Sequence, residues 1–314
     1  MRALVIVAVL RLGLGLGLAT LCACPAPRPA PAKTLQLALD QIAARALHDY
    51  AARGLTADGL ALVAVRLRAD GTTEWAQVNG DVLVYPASVI KLFYLVALHA
   101  AFDEGRISES PELDRAVTDM IVDSGNDPTN YLLEVLTGVS GGAELPAAEL
   151  QVWMEQRQAV NRYFKTLGYD HVNACQKTWA EGPYGRERQG YGPHLELRNA
   201  ASANAIAKLW IEQLVRPQGP RADARRALLA RDFTVVSTEP DDMRTAFTGQ
   251  ALPAGARLWS KIGLTSQVRH DSSYIELPTG EKIVWVILTQ GVSKEQALIP
   301  TVSRWLFAWF DDTR

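Results

Sequence analysis

The sequence predicts a mixed α/β fold of the α+β kind: an antiparallel sheet flanked by N- and C-terminal helices, with an all-helical lobe inserted between its strands. Three observations carry this. β-rich stretches gather near both ends of the chain, at 59–78 and 257–289, while residues from about 110 to 230 show helical apolar spacing almost throughout. Turn signals, Asp70-Gly71 and Pro278-Thr279-Gly280, join neighbouring strands. The composition fits a packed globular chain: 314 residues, 48% hydrophobic and 21% charged, which excludes a disordered, collagen-like or polytopic membrane protein. With 32 Lys+Arg against 34 Asp+Glu and no basic block, a nucleic-acid partner is not expected.

The N-terminus reads as an address. Residues 1–23 have Arg2 and Arg11 before a short apolar run, Leu12 to Leu21, which is the pattern of a secretory signal and too short for a membrane span. Leu21-Cys22-Ala23-Cys24 resembles a bacterial lipobox, with Cys24 as the lipidated residue; ordinary cleavage near Ala23 is the alternative. Residues 24–33 alternate proline with alanine and form a semi-rigid spacer. The expectation is an exported periplasmic or cell-envelope lipoprotein that touches the membrane only through its lipid. Its folded domain would span 34–314, with the sheet lobe at about 34–85 and 232–314 and the helical lobe at about 86–231.

Within the domain, Leu35 to Arg53 has the spacing of an amphipathic helix, with Leu35, Leu39, Ile42, Ala43, Ala46 and Leu47 on one face. Gly59 to Arg68 and Glu74 to Val78 read as a hairpin. Val89 to Glu104 is a long apolar helix stopped by Gly105, and Ala147 to Leu167 reads as one helix ended by Gly168. Between Asn173 and Asn199 the pattern dissolves into Trp, Gly, Pro, Tyr and Arg, too long for a plain connector, so a functional loop is expected. Arg257–Gly263, His270–Leu277 and Ile283–Thr289 are three strands, and Ser293 to Phe310 is a closing helix. Cys175, the one cysteine beyond Cys22 and Cys24, is expected to be a small buried hydrophobe.

Three short motifs carry the chemistry. Ser88-Val89-Ile90-Lys91 opens the long apolar helix, so Ser88 and Lys91 share a face. A lysine among Val89, Ile90, Leu92 and Phe93 is expected to be buried; burial and a second cation would lower its pKa, fitting it to deprotonate a serine. Ser124-Gly125-Asn126 lies between helical stripes, and Lys261-Ile262-Gly263 lies on a late strand. Each motif alone is weak; a cap serine beside a surface lysine would explain the first. The five histidines have no metal-ligand spacing, so neither a metal nor a cofactor is expected.

In this order and on these elements, Ser-x-x-Lys, Ser-x-Asn and Lys-x-Gly resemble the penicillin-binding and serine β-lactamase superfamily, class A most closely. The resemblance covers roughly residues 35–312. It implies that Ser88 is the acylated nucleophile and that Lys91 activates it. Ser124 passes a proton to the leaving nitrogen, Asn126 touches the substrate amide and Lys91, and Lys261 holds Ser124 and adds positive charge. The amides of Ser88 and Leu264, next to Gly263, would form the oxyanion hole.

The departures from the family pattern are specific. Gly125 stands where the family usually has Asp, and Ile262 where it has a Thr or Ser that helps bind a carboxylate. Arg269 is the candidate to take over carboxylate recognition. His270 could be a site base or a structural partner of Asp271. Class A enzymes deacylate with a loop glutamate; Glu181, in Lys177-Thr178-Trp179-Ala180-Glu181, is the only counterpart, with a solvated partner of Arg186 or Arg188 as the alternative. Hydrolysis of a β-lactam or related amide is the first expected reaction. A penicillin-binding-protein-like peptidase or esterase on a peptidoglycan-like substrate is the second, and a non-catalytic envelope lipoprotein of the same fold is the third. Nothing demands more than a monomer.

Overall fold

The computed structural model describes residues 34–179, 181–235 and 237–313; the expected signal segment, the spacer and Cys24 lie outside them. Helix α1 (Leu35–Tyr50) is capped by Thr34, whose hydroxyl accepts the Leu37 amide at 3.2 Å. Strands β1 (Leu60–Leu67) and β2 (Thr73–Val78) form the first hairpin. A 3-10 turn (Ala87–Ile90) then leads into α2 (Lys91–Asp103), and α3 (Pro111–Ile121) and α4 (Asn126–Thr137) follow. The expected single helix 147–167 is two, α5 (Ala147–Arg157) and α6 (Ala159–Thr166), because Gln158 leaves helical geometry at ψ 6°. The long loop contains a two-residue strand β3 (Val172–Asn173) and a short helix α7 (Gly185–Gln189). After it come β4 (Ala200–Ala201), α8 (Ala203–Leu209), a π-helical turn (Trp210–Val215) and α9 (Pro220–Leu229). Strands β5 (Arg257–Leu264), β6 (Val268–Glu276) and β7 (Lys282–Gln290) and helix α10 (Leu298–Asp312) complete the chain.

The five-stranded sheet is antiparallel throughout, in the order β2-β1-β7-β6-β5. N-terminal and C-terminal strands meet at its centre, where Leu62 pairs with Ile287. The small β3–β4 pair inside the helical stretch was not legible as strands.

Strands β1 and β7 are apolar without alternation because helices cover both faces of the sheet. Leu60, Leu62, Ala64, Ile283, Trp285 and Ile287 pack beneath α1 and α10. Ala61, Val63, Val65, Val284, Val286 and Leu288 pack against the helical lobe, built around α2, whose residues from Lys91 to His99 are all buried. Trp285 joins the α10 layer twice, by packing and by an indole N–H donated to Ser303 at 3.0 Å. Replacing it with Ala removes a fully buried tryptophan and its hydrogen bond, and is expected to cost about 3–5 kcal/mol in a urea titration.

Candidate active site

The nucleophile candidate sits on a bent segment. Ser88 lies in the 3-10 turn rather than in α2 itself, and Ala87 before it takes φ 47°, a left-handed conformation that costs a non-glycine residue about 1 kcal/mol. Two contacts hold the bend. The Val89 amide donates to the Pro86 carbonyl at 3.1 Å. The His270 ring is buried and bonded at both nitrogens: Nδ1 accepts the Thr289 amide at 3.0 Å, which leaves the proton on Nε2 to donate to the Tyr85 carbonyl at 2.9 Å. His270 is thus neither a site base nor a partner of Asp271. It anchors the main chain three residues before Ser88, and burial lowers its pKa to about 4.

Gly263 brings β5 against the same bend. A Cβ there would stand 2.5 Å from the Pro86 carbonyl and 3.2 Å from the Ala87 methyl, so only glycine lets the strand approach. Leu264 closes β5 immediately beyond it. Among the described residues no side chain is hydrogen-bonded to the half-buried Ser88 hydroxyl, so its Oγ faces no internal competitor.

The two lysines converge on Ser124. Lys91 is fully buried, and its Nζ donates to the Ser124 carbonyl (2.5 Å), the Asn126 Oδ1 (2.9 Å) and the Gly125 carbonyl (3.2 Å), with the Ser124 hydroxyl at 3.4 Å. Lys261, also fully buried, approaches from β5 and donates to the Ser124 hydroxyl at 2.7 Å and to the Ile262 carbonyl at 3.2 Å. Burial lowers the Lys91 pKa to about 7. Lys261 lies well below the usual lysine range, first through burial, then through the charges of Lys91 and Arg231, with Asp271 opposing. Ser124 itself takes φ 57°, a second left-handed residue at the site.

The Gly125 departure has a local cause. A Cβ there would meet the Pro128 ring at 2.7 Å and the Asp119 carbonyl at 3.3 Å, so an aspartate would force the turn apart. Asn126 begins α4 and gives its oxygen to Lys91, leaving its amide nitrogen free to donate.

One turn along α4, Asn130 grips the long loop. Its Oδ1 accepts the Thr178 amide at 2.8 Å and its Nδ2 donates to the Thr178 carbonyl at 3.1 Å. Thr178 is therefore the loop residue pinned beside the Asn126 turn. Glu181 lies three residues further, is exposed, and makes no hydrogen bond or ion pair among the described residues. It pairs with neither Arg186, which donates to the Ala143 carbonyl, nor Arg188, which donates to the carbonyls of Gly192 and Pro193. The buried loop carboxylate is Glu187, held by Arg157 at 2.8 Å and Lys177 at 3.1 Å.

Arg269 is also committed elsewhere. It is buried, ion-paired to Asp241 at 2.7 Å, bonded to the Ala246 carbonyl at 3.1 Å and stacked over Phe247, so it presents no exposed fork to a substrate carboxylate. A cleft of about 700 Å³ opens beside Ser124 and Ile262, and the arginines on its wall are Arg231 and Arg244. Arg244 is paired with Asp242, whereas the Arg231 side chain bonds Ser260 and, among the described residues, pairs with no carboxylate. Arg231 is the site cation that sequence reasoning missed: it stands thirty residues before Lys261 in a segment with no motif, and only the closure of the chain brings it there.

A family model described as the beta-lactamase enzyme family matches residues 52–310. The chain belongs to the beta-lactamase enzyme family. Solved structures agree in fold. A variant of the class A β-lactamase of the last common ancestor of Gram-negative bacteria is 16% identical with a TM-score of 0.62, covering 87% of this chain and 100% of its own. A class A β-lactamase from Bacteroides cellulosilyticus DSM 14838 is 17% identical with a TM-score of 0.61, covering 90% and 100%. A mutant of PBP-A, in acyl-enzyme complex with penicillin G, is 22% identical with a TM-score of 0.60, covering 90% and 99%. No curated protein matches the chain. This member of the beta-lactamase family thus has a serine hydrolase fold of the β-lactamase and penicillin-binding type.

The His270 anchor has a pH signature. The unfolded chain takes up this proton near the ordinary 6.5, the folded chain only near 4. The contribution is whole above about pH 6.5 and is lost as pH falls toward 4, up to about 3 kcal/mol. His99, also lowered to about 4, adds the same slope, and Asp271, raised to about 6, opposes it. The difference between wild type and His270→Gln isolates the anchor: urea titrations from pH 7 to 4 are expected to show a shallower acid loss in the variant.

Proposed function

We propose that this protein is an exported, lipid-anchored serine hydrolase that forms an acyl-enzyme on Ser88 with a lactam or amide and releases it slowly to water. The observation that carries the reading is the convergence of the Lys91 and Lys261 ammonium groups on one serine hydroxyl, Ser124, at 3.4 and 2.7 Å.

Each step has a residue. With a pKa near 7, Lys91 is partly deprotonated at neutral pH, and its free amine takes the Ser88 proton as Oγ attacks the carbonyl carbon. The carbonyl oxygen becomes an oxyanion at the amides of Ser88 and Leu264. The C–N bond then breaks, and the leaving nitrogen takes a proton from the Ser124 hydroxyl. That hydroxyl is resupplied by the Lys91 ammonium at 3.4 Å, which returns the proton taken from Ser88, while Lys261 at 2.7 Å holds the Ser124 oxygen. Asn126 Nδ2 donates to the substrate's amide carbonyl and positions it.

Deacylation separates a β-lactamase from a penicillin-binding peptidase. A hydrolytic water needs a base, and the loop residue pinned beside the site is Thr178 rather than a carboxylate. Glu181, the sequence candidate, is exposed. This favours a penicillin-binding-like peptidase, esterase or acyl transferase on an amide of the cell envelope over rapid β-lactam hydrolysis. Ile262, with no hydroxyl, and Arg269, already paired, leave Arg231 as the cation facing an anionic substrate group. The envelope location and lipidation at Cys24 rest on the N-terminal sequence alone.

Intact-mass spectrometry with benzylpenicillin tests this. A one-to-one adduct is expected on the wild type, absent from Ser88→Ala, persisting for many minutes and decaying no faster or slower in Glu181→Gln. Loss of the adduct within seconds in the wild type but not in Glu181→Gln would instead make the protein a β-lactamase. Adduct formation is expected to speed up as pH rises through about 7, as Lys91 loses its proton. Lys91→Met is expected to slow acylation at least a thousandfold, about 4 kcal/mol, while the melting temperature does not fall, because the variant no longer buries an ammonium.

A further inference from the structure

A cluster of cationic side chains lies away from the Lys91–Lys261 site. At the far end of the sheet a second cleft, of about 540 Å³, is formed where the β1–β2 turn, the β6–β7 turn, the start of β5 and the end of the π-helical turn meet. Arg68, Arg216, Arg226, Arg257 and Lys282 line it, against the single carboxylate of Glu276. It shares no lining residue with the cleft beside Ser124. Five cations around one hollow are unexpected in a chain whose formal charge is −2.

Their partners sort them. Arg257 pairs with Glu276, Arg68 with Glu74 and Arg226 with Asp223. Arg216 and Lys282 pair with no carboxylate among the described residues. Two of the guanidiniums are fixed by main-chain carbonyls, which consume some donors but neutralise no charge. Arg216 donates to Gly71 at 3.2 Å, and Arg226 to Leu214 at 3.1 Å and Pro217 at 2.8 Å. The cleft therefore holds two cations without a carboxylate partner, Arg216, fixed on the Gly71 carbonyl, and the exposed Lys282, a pair that suits a compact anion. Its wall is aromatic: Trp259 and Tyr274 stand opposite each other on β5 and β6, ring centroids 5.2 Å apart. That combination suits a ring carrying a phosphate, and the volume suits a small molecule.

We propose that this cleft binds a soluble phosphate ester of a sugar, the phosphate between Arg216 and Lys282 and the ring against Trp259. No chemistry occurs there, and the site stands whether or not Ser88 is acylated as described.

The test is calorimetric titration of the full-length protein with glucose 6-phosphate, inorganic phosphate and glucose, with vesicles of phosphatidylglycerol as a fourth arm. Saturable binding of glucose 6-phosphate is expected, at least tenfold tighter than inorganic phosphate or glucose and weakening as salt rises. Lys282→Glu, a change at an exposed and unpaired side chain, is expected to weaken it at least tenfold without lowering the melting temperature or the rate of penicillin adduct formation. Arg216→Ala provides a second cation deletion. No saturable binding at millimolar ligand, binding that Lys282→Glu leaves intact, or a preference for glucose would overturn the proposal. Binding to the vesicles alone would also overturn it, assigning the cations to a lipid surface instead.

Discussion

The site depends on keeping two ammonium groups out of water within reach of the same hydroxyl. Neither lysine could be buried alone: each would leave donors unsatisfied and a charge uncompensated. Their solution is a shell of oxygen acceptors, three from the Ser124–Asn126 turn and one from β5, with no carboxylate in contact. That shell fixes where α4 begins, why Ser124 adopts a left-handed backbone, and why β5 must run close enough to place Lys261 from the opposite side. A carboxylate partner would have stabilised the charges and drawn both pKa values back up toward the usual lysine range. Carbonyl dipoles satisfy the donors and leave the protons exchangeable.

The supporting contacts form a hierarchy around that centre. His270 fixes the main chain before Ser88, Gly263 admits the strand, and Asn130 ties the long loop to the helix that also carries Asn126. None of these residues reaches the hydroxyl, yet each sets the position of one that does. The strain at Ala87 and Ser124 persists because the surroundings over-determine both bends.

Much of the fold was legible because it rests on periodicity. The apolar strands of the main sheet and the buried character of α2 follow from apolar spacing, and the β1–β2 and β6–β7 hairpins follow from short turns. The break at Gln158 was not, since Gln is a good helix former and the chain turns there to bury Phe164 against Phe93. At the site, the motif residues were legible as types and order. The contacts of Arg269 and His270 were not: which way a strand side chain faces, and what waits there, depends on register with strands remote in sequence. Arg269 meets Asp241 and His270 meets Tyr85 only once the sheet has closed. Arg231 and Thr178 carry no local signature at all; they matter through chain closure and through Asn130.

The central pairing of β1 with β7 carries a consequence for how the chain acquires its structure. Leu62 faces Ile287, so nearly the whole domain lies between the two halves of one ladder. Local helices can form early, but the sheet that positions Lys261 has no middle until the last strand has arrived. A nascent chain short of β7 has two separate pairs, β1 with β2 and β5 with β6, and nothing to join them. The candidate site is therefore assembled last and all at once, and a partly made polypeptide carries Ser88 and Lys91 before β5 can bring Lys261 to Ser124.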